Sequence, residues 1–213
     1  MTTIRTNRRK YYDVFSHFYD LFINLHSHKN RQETRAFLVD SAGLKQVKQP
    51  RVLDVCCGTG SVTLAFAERF RDIFAVGYDF SHGMLRKTRE KDVHHNCHLV
   101  EGDAATLPFG DDYFDIVCCS HALYELKGDS RKAALIEMKR VIKPDGAVLI
   151  MEHEVPKKII IKMLFNLRVL MMGRTDAKEF VKQRLSPYKK VFTAVILSHT
   201  KSGKSKLMIC RKE

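Results

Sequence analysis

A chain of 213 residues that is 45% hydrophobic and 29% charged can bury one full core but not two, so a single globular domain with appendages is expected. No uncharged apolar run reaches the roughly 18 residues that a bilayer span requires, and the N-terminus lacks the apolar stretch of a secretory signal; both features point to a cytoplasmic protein, or one resting on the inner face of the cell membrane. The net charge of +13, from 37 Lys and Arg against 24 Asp and Glu, favours polyanions such as nucleic acid, an anionic membrane surface or acidic substrates, without choosing among them.

In chain order, residues 1–50 read as a helical lid in which Tyr11, Tyr12, Phe15, Phe18, Tyr19 and Phe22 are spaced to pack on the core or close over a ligand. Residues 51–152 form the expected core, where strand-like apolar runs alternate with helix-like segments, the pattern of a parallel α/β sheet with helices on both faces. Strands are predicted at Arg51–Cys56, Ile73–Asp79, Cys97–Glu101, Phe114–Ser120 and Ala147–Glu152. Helices are predicted near Ser61–Phe70, Ser81–Glu90 and Ser130–Ile142, the first two opening on Ser and the third on Asp129-Ser130, where a short polar side chain can cap free amides. Lys143-Pro144-Asp145-Gly146 should end the third helix and turn into a strand, because proline cannot continue a helix. The tail, 153–213, holds a basic apolar helix, a break at Pro187, and strand-like runs at Val191–His199 and Lys206–Arg211.

The six cysteines fall at 56, 57, 97, 118, 119 and 210, four of them as adjacent pairs within apolar runs. Neighbours on a strand point to opposite faces, so this spacing suits neither a disulfide framework nor a zinc site; reduced, mostly buried thiols and no metal are expected.

The most informative stretch is Val52-Leu53-Asp54-Val55-Cys56-Cys57-Gly58-Thr59-Gly60, a buried strand ending in a glycine turn that runs into a helix. Gly58 and Gly60 permit a tight turn and close approach of a ligand, and the helix start offers free N–H groups. The third glycine of a dinucleotide fingerprint would fall at Thr63, so that pattern is incomplete. Asp54 would repel a pyrophosphate but could attract, directly or through water, an ammonium group. Asp79, nineteen residues after Gly60, ends the next strand where an acid can accept hydrogen bonds from both hydroxyls of a ribose. A ligand with an amino acid at one end and a ribose at the other is S-adenosylmethionine. Asp103 could accept from its adenine amino group and Met84 could cover the adenine ring; Phe80 and Ser120 complete the candidate contacts.

Taken together, Val52–Gly60, Gly77–Leu85, Gly102-Asp103-Ala104, Leu107-Pro108-Phe109 with Phe114-Asp115, and Arg140–Gly146 resemble the class I S-adenosylmethionine methyltransferases, within the group that contains quinone-biosynthesis C-methyltransferases and bacterial phospholipid N-methyltransferases. The resemblance covers about residues 50–152. It implies a Rossmann-like, mostly parallel seven-stranded sheet, with the loop from Cys56 and Cys57 to Gly60 on the methionine part, Asp79 on the ribose and Asp103-Ala104 on the adenine. It also aligns Phe18-Tyr19-Asp20 with the family's N-terminal Tyr-Asp, whose tyrosine reaches toward the cofactor carboxylate.

Methyl transfer is an in-line displacement at a sulfonium, so the enzyme must align an acceptor and exclude water. Acceptor-side residues are expected beyond the fourth and fifth strands, in Ser120-His121-Ala122-Leu123-Tyr124 and Glu152-His153-Glu154. His121 or His153 could take a proton near neutral pH, and Tyr124 could hydrogen-bond an acceptor head group. In the tail, Pro156–Met172 places Lys158, Lys162 and Asn166 every four residues among Ile, Leu, Met and Phe, a segment able to lie in a membrane interface. A lipid-like acceptor is therefore the leading expectation, either a phospholipid amine or a prenylated quinol. The alternatives are a soluble small-molecule methyltransferase, arsenite included because of the thiols, an RNA methyltransferase, and a cofactor-binding protein without catalysis. The Cys119-Ser120-His121-Ala122 sequence lacks the Asn-Pro-Pro-Tyr signature of amino methylation on nucleic-acid bases, and no RNA-binding appendage is visible.

Overall fold

The computed structural model describes residues 9, 12, 13, 32–93, 95–126, 128–154 and 185–212. The expected lid residues Tyr11, Phe15, Phe18, Tyr19 and Phe22 and the basic apolar helix over Pro156–Met172 lie outside the described residues.

Seven strands form one sheet: β1 Arg51–Val55, β2 Phe74–Asp79, β3 Cys97–Glu101, β4 Phe114–Ser120, β5 Ile142–His153, β6 Ala194–His199 and β7 Ser205–Arg211. Their order is β3-β2-β1-β4-β5-β7-β6. Neighbours from β3 to β5 are parallel, while β7 runs antiparallel to both β5 and β6. The chain reverses its direction of growth between β1 and β4, and in open α/β sheets ligands bind beyond the carboxyl ends of strands at such a switch.

Helices α1 (32–41), α2 (Ser61–Arg69), α3 (His82–Lys91), α4 (Gly128–Val141) and the short α5 (Ser186–Lys189) accompany the sheet. The core strands are buried on both sides, which is why they read as continuous apolar runs rather than as alternating ones. On one face, Leu38 and Val39 of α1 and Val62, Phe66 and Ala67 of α2 pack against Val52, Ala75, Ile116 and Leu149. On the other, Ala134, Leu135, Met138 and Val141 of α4 and Tyr188 of α5 cover Leu53, Val55, Val76, Val117 and Val148. Cys118 and Cys119 fall on opposite faces, as strand alternation requires.

Two local expectations are corrected. The fifth strand begins at Ile142 rather than Ala147, because Ile142 pairs with Phe114 before the register jumps to Ile116 opposite Ala147. The Lys143–Gly146 segment is thus an irregularity within a strand, where Pro144 has no N–H to give a ladder. Of the predicted caps, only Ser81 acts as one, its hydroxyl accepting from the Met84 N–H at 3.2 Å. Ser61 is the first helical residue behind Gly60, and α4 opens at Gly128, which leaves Asp129 in the first turn, where its charge still suits the helix dipole.

Candidate cofactor and acceptor site

The carboxyl ends of β1 and β2 build one half of the site. Asp54, the fourth residue of β1, is only 2% exposed. Its Oδ2 accepts from the Thr63 amide (3.1 Å) and hydroxyl (2.7 Å), and its Oδ1 accepts from the Cys118 thiol at 3.6 Å. Thr63 therefore stands where a third glycine would be because its hydroxyl fastens the start of α2 to β1. Burial raises the Asp54 carboxyl to about 6, against the hydrogen bonds from Thr63 and Cys118.

The loop that follows is turned by left-handed residues: Cys56 at φ 59°, Gly58 at 56° and Gly60 at 73°. A side chain at Gly60 would strike Thr88 Cγ2 at 2.2 Å, whereas one at Gly58 would meet nothing within 4 Å. Gly58 thus presents bare backbone to open space, the close approach that a ligand needs. The loop is held from beneath. Cys57 N–H donates to the Tyr78 carbonyl (3.1 Å), Gly58 N–H to Asp79 Oδ2 (2.9 Å), and the Thr88 hydroxyl to the Gly58 carbonyl (3.1 Å).

Asp79 ends β2, 5% exposed, and its Oδ1 accepts from the Ser81 amide at 2.9 Å. Burial lifts it to about 6, partly offset by the donors Ser81 and Gly58. Each carboxylate oxygen can accept more than one hydrogen bond, so capacity remains for two further donors. Next to it the Phe80 ring meets Tyr12 edge-on at 5.5 Å, and Asp13 accepts from the Ser81 hydroxyl (2.6 Å) and Gly83 amide (2.9 Å). Arg9 pairs with Glu101, and Tyr12 also donates to Glu125. Sequence reading placed aromatics here but missed the Asp13 contact, since nothing in its spacing marks a helix so far along the chain. Met84 is buried at 2% exposure. Asp103 is half-buried and accepts from the Ala105 amide at 3.0 Å, Ala104 packs into the core, and Ser120 closes β4 half-buried.

The other half lies beyond β4 and β5. His121 has a left-handed backbone, φ 54°, and its amide donates to the Met151 carbonyl at 2.8 Å. Its ring stacks on His153 with centroids 4.0 Å apart, and Tyr124 lies 6.2 Å from His153. Burial, together with His153, holds the His121 imidazole well below its usual range, so it is neutral at pH 7. The Leu123–Glu125 turn that carries Tyr124 is fastened by Arg131, whose guanidinium donates to the carbonyls of Leu123, Tyr124 and Leu126. Glu152, 3% exposed, is raised to about 8 by burial, against the pull of Lys206 and Arg131. Among the described residues, two buried side-chain polar atoms lack a hydrogen-bond partner, and they are His121 Nδ1 and Glu152 Oε1. The sequence marked the Glu152-His153-Glu154 segment; that Glu152 is the buried member follows only from its neighbours.

Among the described residues there is no cluster of three metal-ligating side chains and no helix long and apolar enough to cross a membrane. A surface cavity of about 540 Å³ lined by Arg51, Phe74, Tyr113 and Lys143 opens at the other edge of the sheet, by the amino ends of β1 and β2.

A parallel sheet with this strand order, a glycine turn after β1 and an acid ending β2 define a class I S-adenosylmethionine-dependent methyltransferase, and the chain belongs to that family. The family described as "Methyltransferase domain" matches residues 52–146. The chain is 32% identical over 189 residues to demethylmenaquinone methyltransferase of Staphylococcus aureus, covering 86% of this chain and 77% of that one. Among solved structures, a chain of the Haloferax volcanii complex that contains the Trm112 methyltransferase activator superposes with a TM-score of 0.71 at 14% identity, covering 94% of this chain and 97% of that one. A TehB-like S-adenosylmethionine-dependent methyltransferase from Corynebacterium glutamicum gives a TM-score of 0.55 at 15% identity over 84% of this chain and 88% of that one. S-adenosylmethionine is the methyl donor, and the bare Gly58 backbone beside the buried Asp79 carboxylate suits it.

Proposed function

We propose that this methyltransferase methylates a lipid-like acceptor, a prenylated quinol, at a membrane surface. The observation that carries the reading is the buried, unpartnered Nδ1 of a neutral His121 at the carboxyl end of β4, on a chain similar to demethylmenaquinone methyltransferase along 86% of its length. S-adenosylmethionine supplies an electrophilic methyl group. In this reading the loop from Cys56 and Cys57 to Gly60 holds its amino-acid end, with Asp54 fixing the loop through Thr63. Asp79 takes the ribose hydroxyls, Phe80, Met84 and Ala104 flank the adenine, and Asp103 accepts from its amino group. Ser120 borders the methyl, and Tyr19, outside the described residues, is the residue that the family resemblance assigns to the cofactor carboxylate.

A quinol ring carbon becomes a nucleophile when a ring hydroxyl loses its proton, so the acceptor side needs an uncharged group with a free lone pair to receive that proton. His121 Nδ1 takes that proton in the Nε2–H tautomer, and Tyr124 hydrogen-bonds the acceptor oxygen. A phospholipid ammonium would instead call for an anionic partner. Of the two carboxyls that flank His153 in the chain, Glu152 is raised to about 8 by burial and so is mostly protonated at pH 7, and Glu154 is paired with His199 at 3.3 Å. The net charge of +13 and the Pro156–Met172 segment support attachment to an anionic membrane face.

The test is to incubate the enzyme and isotopically labelled cofactor with a demethylated prenyl quinol and, separately, with phosphatidylethanolamine vesicles. The label is expected in the quinol; label in the phospholipid alone, or in neither, overturns the reading. In flotation assays the protein should associate with anionic vesicles more than with neutral ones, and equal association would remove the membrane component.

A further inference from the structure

The cysteines at the ends of β1 and β4 form a cluster that methyl transfer does not use. In the register of these strands Asp54 stands beside Cys118, so one step further Val55 stands beside Cys119. Strict alternation would turn Cys56 to the face of Asp54 and Cys118, away from Cys119. The left-handed backbone at Cys56 breaks that alternation and swings its side chain onto the other face, where it packs against the cluster that contains Cys119. There Cys56 is the neighbour that acts most strongly on the Cys119 thiol. Left-handed backbone is costly for a residue with a side chain, so the loop that holds Cys56 in it also fixes which face its thiol takes. Cys118, on the opposite face, is occupied with Asp54.

Access distinguishes the pair. Cys56 is half-buried at the loop that lies beside the cofactor crevice, whereas Cys119 is fully buried. A small oxidant therefore meets Cys56 first, and Cys119 is the thiol in place behind it.

We propose that Cys56 and Cys119 are an oxidative modification site, a peroxide-sensitive dithiol whose disulfide shuts off cofactor binding. In the first step the Cys56 sulfur attacks one oxygen of hydrogen peroxide; the O–O bond breaks, Cys56 becomes a sulfenic acid, and one water leaves. In the second, the Cys119 sulfur attacks the Cys56 sulfur, and the displaced hydroxide takes the Cys119 proton and leaves as a second water. Two thiols are oxidised and one peroxide is reduced to two waters. Cys56 and burial together push the Cys119 thiol well up, so Cys119 keeps its proton until the displaced hydroxide takes it. The bond would tie the residue two positions before Gly58 to β4 and fix the loop whose bare Gly58 backbone lies open to the ligand. Dithiothreitol reverses it by ordinary exchange.

The experiment uses the full chain treated with hydrogen peroxide, followed by peptide mapping with fragmentation that separates Cys56 from Cys57 and Cys118 from Cys119. The expected result is a Cys56–Cys119 linked peptide, a loss of S-adenosylmethionine affinity of at least tenfold by calorimetry, and recovery of both after dithiothreitol. Cys119→Ala should keep its affinity through the same treatment. Absence of the linked peptide in the unsubstituted protein overturns the proposal without recourse to any variant, and so does an unchanged affinity in the linked protein. An equal loss in Cys119→Ala would assign the effect to Cys56 or Cys57 alone and overturn it as well.

Discussion

The two halves of the site are built on contrary principles. Around β1 and β2 the buried polar groups are matched within the protein: Asp54 with Thr63 and Cys118, Asp79 with Gly58 and Ser81. Beyond β4 and β5, His121 Nδ1 and Glu152 Oε1 are buried without a partner. An unmatched buried polar atom costs about 1–3 kcal/mol, a cost a fold tolerates where a ligand supplies the partner. On the proposed assignment, the cofactor half is assembled before anything binds and the acceptor half is completed by its substrate. The strong preorganisation of the first half also lets a chain change its acceptor without rebuilding its donor site.

The sharpest way to break this contrast is His121→Ala. If His121 handles the acceptor proton, kcat should fall by about 10²–10⁴, while the affinity for S-adenosylmethionine by calorimetry stays within about twofold. A matched fall in cofactor affinity would place His121 in the donor half and dissolve the distinction.

Asp79→Ala probes the other half with the opposite signature. Loss of a carboxylate that holds two ribose hydroxyls should weaken S-adenosylmethionine binding by about 1–3 kcal/mol. The Gly58 and Ser81 amides lose their acceptor at the same time, so the loop is loosened as well as the ligand. Asp79→Asn, which keeps an acceptor oxygen, should fall between the two. Calorimetry that finds the Ala variant as tight as the parent would reject the assignment.

The halves also differ in how far the sequence reveals them. The donor half is written in residue types whose reasons are local: glycines at a turn, an acid at each of two strand ends, and a threonine in place of a third glycine. What spacing could not supply is the direction in which two side chains point. Cys56 and His121 each follow directly on a strand and each adopt a left-handed backbone, which non-glycine residues rarely do, so alternation cannot be carried through either residue. The packing of Cys56 on the Cys119 face and the stacking of His121 on His153 both lie past that point. The Lys143–Gly146 irregularity and the cap at Gly60 escaped for a related reason, since a register jump or a glycine cap is decided by the neighbouring strand or helix and not by the segment itself. Asp13 on the Gly83 amide of α3 is a contact between distant segments, for which one sequence holds no signal.

The smallest effect isolates Glu152, and pH is the means of doing so. Its carboxyl is raised to about 8 when folded, from about 4.3 in an unfolded chain. Below the unfolded value both states are protonated and the stabilisation is complete; as pH rises the unfolded state ionises first, and stability is lost until pH passes the folded value. Asp54 and Asp79 act with the same sign, but both are raised only to about 6, so their contribution is exhausted above that pH. His121, held low, acts with the opposite sign, losing stability as pH falls below its unfolded value of about 6.5. The buried thiols enter only above their unfolded value of about 8.5. Between pH 6.5 and 8, then, the unfolding free energy from urea titrations should fall by up to about 1.4 kcal/mol per pH unit, and Glu152→Gln should flatten that slope. The groups facing Glu152 are Lys206, Arg131, Glu125, Tyr188 and Cys119, and a slope that survives in Glu152→Gln would mean that Glu152 is ionised and matched, leaving His121 Nδ1 as the unsatisfied atom of the acceptor half.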